Sequence, residues 1–300
     1  LFRELTHVGV NVQDVIASVN KMGKYEVSVY HKGCGGRREC VSTIGKIVSG
    51  VLDKKMVHEN QNCVMNHKAG VCCLKFMEEE PFKVTSGVAR LAKNGNAVSG
   101  DNYTFMNTGD GKYLIALSDG MGSGKKAALE SRATINLLEQ FMEVGFDKDM
   151  TIKMINSILM LKSEDDSFAT IDMSIINLYD CEVEFVKIGA APTYIKREDK
   201  IESVRSVSLP VGILSDISTE MIHKKVGNGE FIIMMTDGVY DAFKNNCTDG
   251  ETLEGYIERI KSKNPQEIAD SILDRAYELE GGSSSDDMTV LVSKVWKKIG

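Results

Sequence analysis

Apolar residues recur along this chain with two different periods, and the switches between them mark out its elements. YEVSVY at 25–30 alternates as a half-buried strand does. Residues 37–52 change to a helical period, with Cys40, Ile44, Ile47, Val48 and Val51 on one face. Val8, Val12, Val15, Ile16 and Val19 fall partly on one face at that period too, so 8–21 is predicted as a helix. VCCLKF at 71–76 predicts a strand. From residue 82 the pattern sharpens. FKVTSGVARLAK predicts a strand, Asn94-Gly95 a hairpin turn, and NAVSGDNYTFMNT the returning strand. KYLIALS at 112–118 is a third strand. Residues 124–144 and 149–162 predict a helix pair. Strands follow at 168–178 and 182–188 around a Tyr179-Asp180 turn, then in GAAPTYIKRED, at 200–207 and, weakly, at 220–226. FIIMMT at 231–236 is continuously apolar, as in a strand central to a sheet. Helices are predicted at 251–261 and 265–280, the second with Asn264 as cap and Pro265 in the first turn. Met288–Trp296 closes the chain as a strand.

Strands, a helix pair, many strands, another helix pair and a last strand do not alternate as βαβ units do. The order predicts an α+β fold, two packed and mostly antiparallel sheets with helices outside, preceded by a small N-terminal α/β segment. Charge places the boundary. Residues 1–80 hold 11 Lys/Arg against 9 Asp/Glu, and residues 81–300 hold 25 against 34. The expected domains are therefore 1–80, a partial regulatory or linker region, and 81–300. A net charge of −7 speaks against nucleic acid as a partner. No apolar run is long enough to span a membrane. The chain begins at Leu1 rather than Met, so an anchor upstream is compatible with it. Five of the seven cysteines, Cys34, Cys40, Cys63, Cys72 and Cys73, lie before residue 81. They read as reduced thiols partly in a core, with a zinc cluster of Cys34, Cys40, Cys63, Cys72 and His67 as one alternative and redox chemistry as another.

The candidate chemistry is acidic. Asp119-Gly120 ends the run LIALS, Asp237-Gly238 ends FIIMMT, and Asp286-Asp287 precedes MTVLV. Each stands where a buried strand meets a loop, and such positions converge at one edge of a sandwich. Asp101, in SGDNY, is a fourth candidate. Clustered carboxylates repel unless cations neutralise them, and Mg²⁺ or Mn²⁺ take such hard oxygen ligands, the Gly120 carbonyl among them. Two such ions activate a shared water and clamp a phosphoryl oxygen. An Asp-Gly alone is a common turn, so it is the joint pattern that carries this reading. The rivals fail on spacing. DGMGSGKKAALE is neither GxxxxGK[ST] nor GxGxxG, no GxSxG or HExxH occurs, and the five histidines are scattered.

At this point the chain resembles the PP2C-like metal-dependent Ser/Thr phosphatases, in the branch typified by stage II sporulation protein E. The resemblance covers 82–297 and rests on VSGDNY (98–103), ALSDGMGSGKKAALES (116–131), SFATIDMSIINLY (167–179), KIGAAPTYI (187–195), LPVGIL (209–214), IMMTDGVYDA (233–242) and SSSDDMTVLV (283–292). It implies an α/β/β/α sandwich with two Mn²⁺ or Mg²⁺ ions. Asp119 would bridge them, the Gly120 carbonyl and Asp101 would serve the second, and Asp237 and Asp286 the first, with Asp287 in support. It implies attack of an activated water on phosphoserine without a phosphoenzyme. Family substrates are a phosphorylated anti-anti-sigma factor, whose dephosphorylation activates a sporulation sigma factor. The family also implies self-association through switch helices at 124–144 and 149–162 or through the N-terminal segment. It further implies cell-division partners and a membrane-anchored full-length protein with this part on the cytoplasmic face. One departure stands out. Eukaryotic members carry a phosphate-gripping arginine shortly before the first acidic motif, where this chain has NGNAVSGD, with Lys93 and Arg90 the nearest basic residues upstream. That departure keeps open an alternative, a regulatory or scaffold module with a weakly active phosphatase fold.

Overall fold

In the computed structural model of the chain, residues 1–33, 39–59, 70–122, 124–162, 168–198, 200–205, 208–213, 221–246 and 251–298 are described. They divide into two compact units, Leu1–Glu80 and Pro81–Gly300. In the first, α1 (Phe2–His7), β1 (Val12–Val19), β2 (Tyr25–Lys32), α2 (Glu39–Leu52), β3 (Met56–His58) and β4 (Val71–Glu78) make one sheet of order β1-β2-β4-β3 and two helices. Val27, Val29, Leu74 and Phe76 of the sheet share a core with Leu5, Ile44 and Val48. The helix expected over 8–21 is not there. Its valines form β1, which pairs antiparallel with β2 (Val15↔Val29) across a turn that the Asn20 side chain holds through the Met22 and Lys24 amides. β1 is an edge strand, and only Val12 and Val15 are even partly buried. With so little burial nothing imposes a period of two, and β-branched residues favour a strand at any spacing. Cys34, Cys63, His67 and the Cys40 side chain lie outside the described residues, while Cys72 is buried and Cys73 exposed.

The second unit runs β5 (Phe82–Leu91), β6 (Asp101–Asn107), β7 (Lys112–Asp119), α3 (Gly124–Val144), α4 (Lys148–Lys162), β8 (Ile171–Asn177), β9 (Glu182–Ile188), β10 (Thr193–Lys196), β11 (Ile201–Val204), β12 (Met221–Lys225), β13 (Phe231–Met235), α5 (Asp237–Asn246), α6 (Leu253–Arg259), α7 (Pro265–Leu279) and β14 (Met288–Lys297). Two five-stranded antiparallel sheets result, β12-β9-β8-β7-β6 and β11-β10-β13-β14-β5. Side chains alternate between the faces of each strand, which sorts the core into three layers. Ile115, Leu117 and Phe185 of the first sheet meet Ile195, Ile232, Met234 and Leu291 of the second. Leu114, Ala116, Met173 and Ile175 turn outward onto α3 and α4. Ile233, Met235 and Val290 turn outward onto α5, α6 and α7. The expected four-layer sandwich of two antiparallel sheets between helices is what forms.

Two local expectations give way. Asn94-Gly95 does not make a hairpin, because β5 pairs with β14 (Leu91↔Met288) while β6 pairs with β7 in the other sheet. Residues 92–100 instead carry the chain from sheet to sheet. That crossing is fastened by Ser284, whose hydroxyl donates to the Ala92 carbonyl and whose own carbonyl accepts from the Asn94 amide. The second is α5, where only a turn at 237–238 was expected. At the outer edge of β5, Gln266 in the first turn of α7 both accepts from the Val88 amide (3.0 Å) and donates to the Val88 carbonyl (2.7 Å).

Candidate active site

The inward faces of the strands change character at one end of the inter-sheet layer. Along β7, Ile115 and Leu117 give way to Asp119, and along β6, Phe105 and Tyr103 give way to Asp101. Past Met234 comes Thr236, and before Leu291 stands Thr289, again at steps of two. Asp101 and Asp119 are cross-strand partners. Asp101 is fully buried, and its Oδ2 accepts from Thr289 Oγ1 (2.6 Å) and Thr236 Oγ1 (3.1 Å), which ties the two sheets together. No hydroxyl or amide donates to its buried Oδ1, and the neighbouring Asp119 carboxyl is the acid that interacts with Asp101. The Asp119 amide donates to Thr170 Oγ1 (2.9 Å), and the Asp119 carbonyl accepts from the Thr170 amide (2.8 Å). Asp237 opens α5, where the positive end of the helix dipole and the Gly238 amide favour its charge.

Asp119, Asp101, Asp237 and Asp286 share one electrostatic neighbourhood. Burial first, then the carboxylates of Asp101, Asp237 and Asp286, push the Asp119 carboxyl up to about 9. Burial raises Asp101 to about 6, against the hydroxyls that favour its anion. Asp237 is raised as well, by burial and then by Asp286. Among the described residues no three His, Cys, Asp or Glu side chains are closed around one point as metal ligands. The carboxylates crowd one another instead.

The glycines after the two aspartates are required by close approach. A Cβ on Gly120 would come within 2.0 Å of the Ala127 carbonyl oxygen in α3, and one on Gly238 within 2.3 Å of the Asp287 carbonyl oxygen. The first contact seats α3 against the acidic turn. Ser131 of α3 adds a hydrogen bond to the Gly100 carbonyl, and Asn102 donates to Ser131 Oγ (2.8 Å) and to the Ala128 carbonyl (3.2 Å).

Asp286 and Asp287 differ in what they reach. Asp286 adds charge at Asp119 and Asp237. Asp287 is buried, and its two oxygens accept from the amides of Lys93 (2.9 Å) and Gly100 (2.8 Å), so it orders the crossing that delivers Asp101. Arg90 on β5 donates from Nη2 to the carbonyls of Asp101 (2.7 Å) and Ser99 (3.2 Å). The sequence pattern brought out none of Thr170, Thr236, Thr289 or the buried pair Asp172 and Lys187. That pair did leave a signal, one acidic and one basic residue interrupting the otherwise apolar runs ATIDMSII and FVKIG.

Residues 109–296 match the family model described as Stage II sporulation protein E (SpoIIE). The chain is 34% identical to the Stage II sporulation protein E of Priestia megaterium over 295 residues, which cover 98% of this chain and 50% of that protein. It is also 34% identical to the protein of the same name from Bacillus subtilis (strain 168), covering 98% of this chain and 35% of that protein. It thus spans about half the length of the first relative and about a third of the second. A solved structure of the PP2C phosphatase domain and a fragment of the regulatory domain of the cell fate determinant SpoIIE from Bacillus subtilis superposes with a TM-score of 0.74. That match has 33% identity and covers 97% of this chain and 85% of that one.

Proposed function

This chain belongs to the stage II sporulation protein E family of PP2C-like serine phosphatases, and from that premise we propose that it is a metal-dependent protein serine phosphatase acting on a phosphorylated anti-anti-sigma factor. The observation that carries the metal dependence is the convergence of Asp101, Asp119, Asp237 and Asp286. Burial first, then three neighbouring carboxylates, hold Asp119 up to about 9, an arrangement that divalent cations relieve. The donors fit hard cations such as Mn²⁺ or Mg²⁺: carboxylate oxygens, a buried Asp101 Oδ1 that no hydroxyl or amide satisfies, and the Gly120 carbonyl. In this reading Asp119, Asp101, Asp237, Asp286 and the Gly120 carbonyl would hold the ions. When bound, the ions supply charge for the phosphoryl oxygens and lower the pKa of water. The protein's own part is positional. Thr236 and Thr289 fix the Asp101 carboxylate, Thr170 fixes the Asp119 backbone, and Asp287 fixes the loop between β5 and β6.

Phosphate release from a phosphorylated anti-anti-sigma protein should depend on Mn²⁺. Equal release in excess chelator would sink the metal mechanism, and release only from unrelated phosphoproteins would sink the substrate. Activation of a sporulation sigma factor follows from that substrate. Contact with cell-division proteins, and anchoring of a longer protein to the membrane with this part on its cytoplasmic face, belong to the same proposal. Among the described residues no helix is long and apolar enough to cross a membrane.

Self-association through α3 and α4 completes the reading. Leu129, Val144, Met150 and Leu161 on these helices are exposed, while the same α3 packs on Gly120 and bonds to Gly100. A partner that shifts α3 therefore shifts the acidic turn. Leu129→Glu, at an exposed position, should leave the fold intact while weakening both self-association in sedimentation and Mn²⁺ affinity in calorimetric titration. Unchanged Mn²⁺ affinity in a variant that no longer self-associates would uncouple the two.

A further inference from the structure

Below the acidic cluster lies a charged group that the phosphatase reading does not use. Lys187 on β9 and Asp172 on β8 are cross-strand partners facing the inter-sheet layer, each 1% exposed, and Thr193 of β10 in the opposite sheet is fully buried beside them. They close a triangle. Lys187 Nζ lies 2.6 Å from Asp172 Oδ2 and 2.8 Å from Thr193 Oγ1, and Thr193 Oγ1 donates to Asp172 Oδ2 at 2.8 Å. Both bonds that reach Asp172 go to a single carboxylate oxygen. The other, Asp172 Oδ1, is buried and has no hydrogen-bond partner. Asp172 also lines a cavity of about 10 Å³, together with Asp119, Thr170, Thr236 and Asp237. That is about the room one water needs, and the lining supplies the polar partners a buried water requires.

For stability alone this arrangement is a poor choice. A buried ion pair seldom outperforms apolar residues of the same volume, and the neighbouring inward positions, Leu117, Phe185 and Ile195, are apolar. An unsatisfied buried carboxylate oxygen adds a further cost. What the triangle does achieve is orientation. With Oδ2 held by Lys187 and Thr193, the carboxylate cannot rotate without losing both, which leaves Oδ1 for a partner in the cavity that Asp172 lines.

We infer that Asp172 is a positioning residue of the active site: its Oδ1 accepts a hydrogen bond from a water held between Asp119 and Asp237, and Lys187 with Thr193 locks it in that orientation. The inference rests on the phosphatase reading and adds to it a group outside the acidic cluster. Asp172 acts through the water, and Lys187 acts through Asp172. No bond to substrate is made by either.

The test uses the full chain loaded with Mn²⁺, a phosphoserine peptide as probe, and two variants, Asp172→Asn and the charge-free pair Asp172→Leu/Lys187→Met. Misplacing a reacting group costs about 10²-fold in rate, so both should lose about that much kcat while KM stays within about twofold. Thermal melting should show the pair variant folded, since it keeps volume and removes both charges. A folded pair variant with the kcat of the parent overturns the inference and leaves the phosphatase reading standing. A parent chain with no Mn²⁺-dependent turnover sinks that reading instead. Crystallography at a resolution that shows waters then decides the inference: a water within hydrogen-bond distance of Asp172 Oδ1 in the parent, absent from Asp172→Leu/Lys187→Met, supports it, and no water there overturns it.

Discussion

Asp119→Asn is expected to leave the metal-free protein more stable at alkaline pH and, if the chain acts as the proposed phosphatase, to lower kcat on the order of 10³-fold, as loss of a central charge-stabilising group does. The two effects have one cause. Asp119 is held up to about 9 by burial and by Asp101, Asp237 and Asp286, against about 4 in an unfolded chain. A carboxyl with a raised folded pKa favours the folded state when protonated. That contribution is fully present below about pH 4 and is lost as pH rises through about 9. The metal-free parent should therefore melt at falling temperatures as pH is raised between these limits, and Mn²⁺ should restore most at the alkaline end. Asn carries no charge to repel its neighbours, so the variant should show a flatter pH dependence and little response to Mn²⁺. Calorimetric melting across pH with and without Mn²⁺, paired with kcat, reads both. A variant that loses activity because it melts earlier than the parent would contradict the assignment.

Lys187→Met is expected to destabilise the second unit by about 3–5 kcal/mol, the usual consequence of stranding one partner of a buried ion pair. Asp172 would keep only the Thr193 hydroxyl on a carboxylate that is 1% exposed. For a unit of this size such a loss lowers the melting temperature by roughly 10 °C. Replacing Asp172 by Leu in the same chain should recover most of it, because no buried charge is then left. A Lys187→Met protein that melts with the parent would mean that the cavity admits enough water to solvate Asp172.

How far the sequence could be read follows from which positions are two-sided. The strands of the second unit are covered on both faces, so burial imposes their lengths and order, and β7, β9 and β13 fall where their apolar runs place them. β1 in the first unit has almost no buried face, and its valines carried a false helical period. Asn94-Gly95 carries a hairpin signal, but a local turn signal holds no information about the distant Asp287 and Ser284 that direct the crossing. The acidic candidates were legible because several of them recur at the ends of apolar runs, a joint pattern that a single Asp-Gly turn does not produce. Their supports, Thr170, Thr236 and Thr289, were not, since a threonine in a strand is ordinary until the opposing sheet is in place. Asp172 and Lys187 sit 15 residues apart on neighbouring strands, a pairing that only register discloses.

Strand β5 ends its sheet, and a ten-residue edge of that kind is an open template onto which a foreign strand can add. The amide of Gln266 occupies that template at Val88, offering one acceptor and one donor where another chain would offer its backbone. An intruding strand must evict this side chain before it can zip along β5. A single glutamine, remote from the acidic cluster, thus occupies the point at which such a strand would begin to pair.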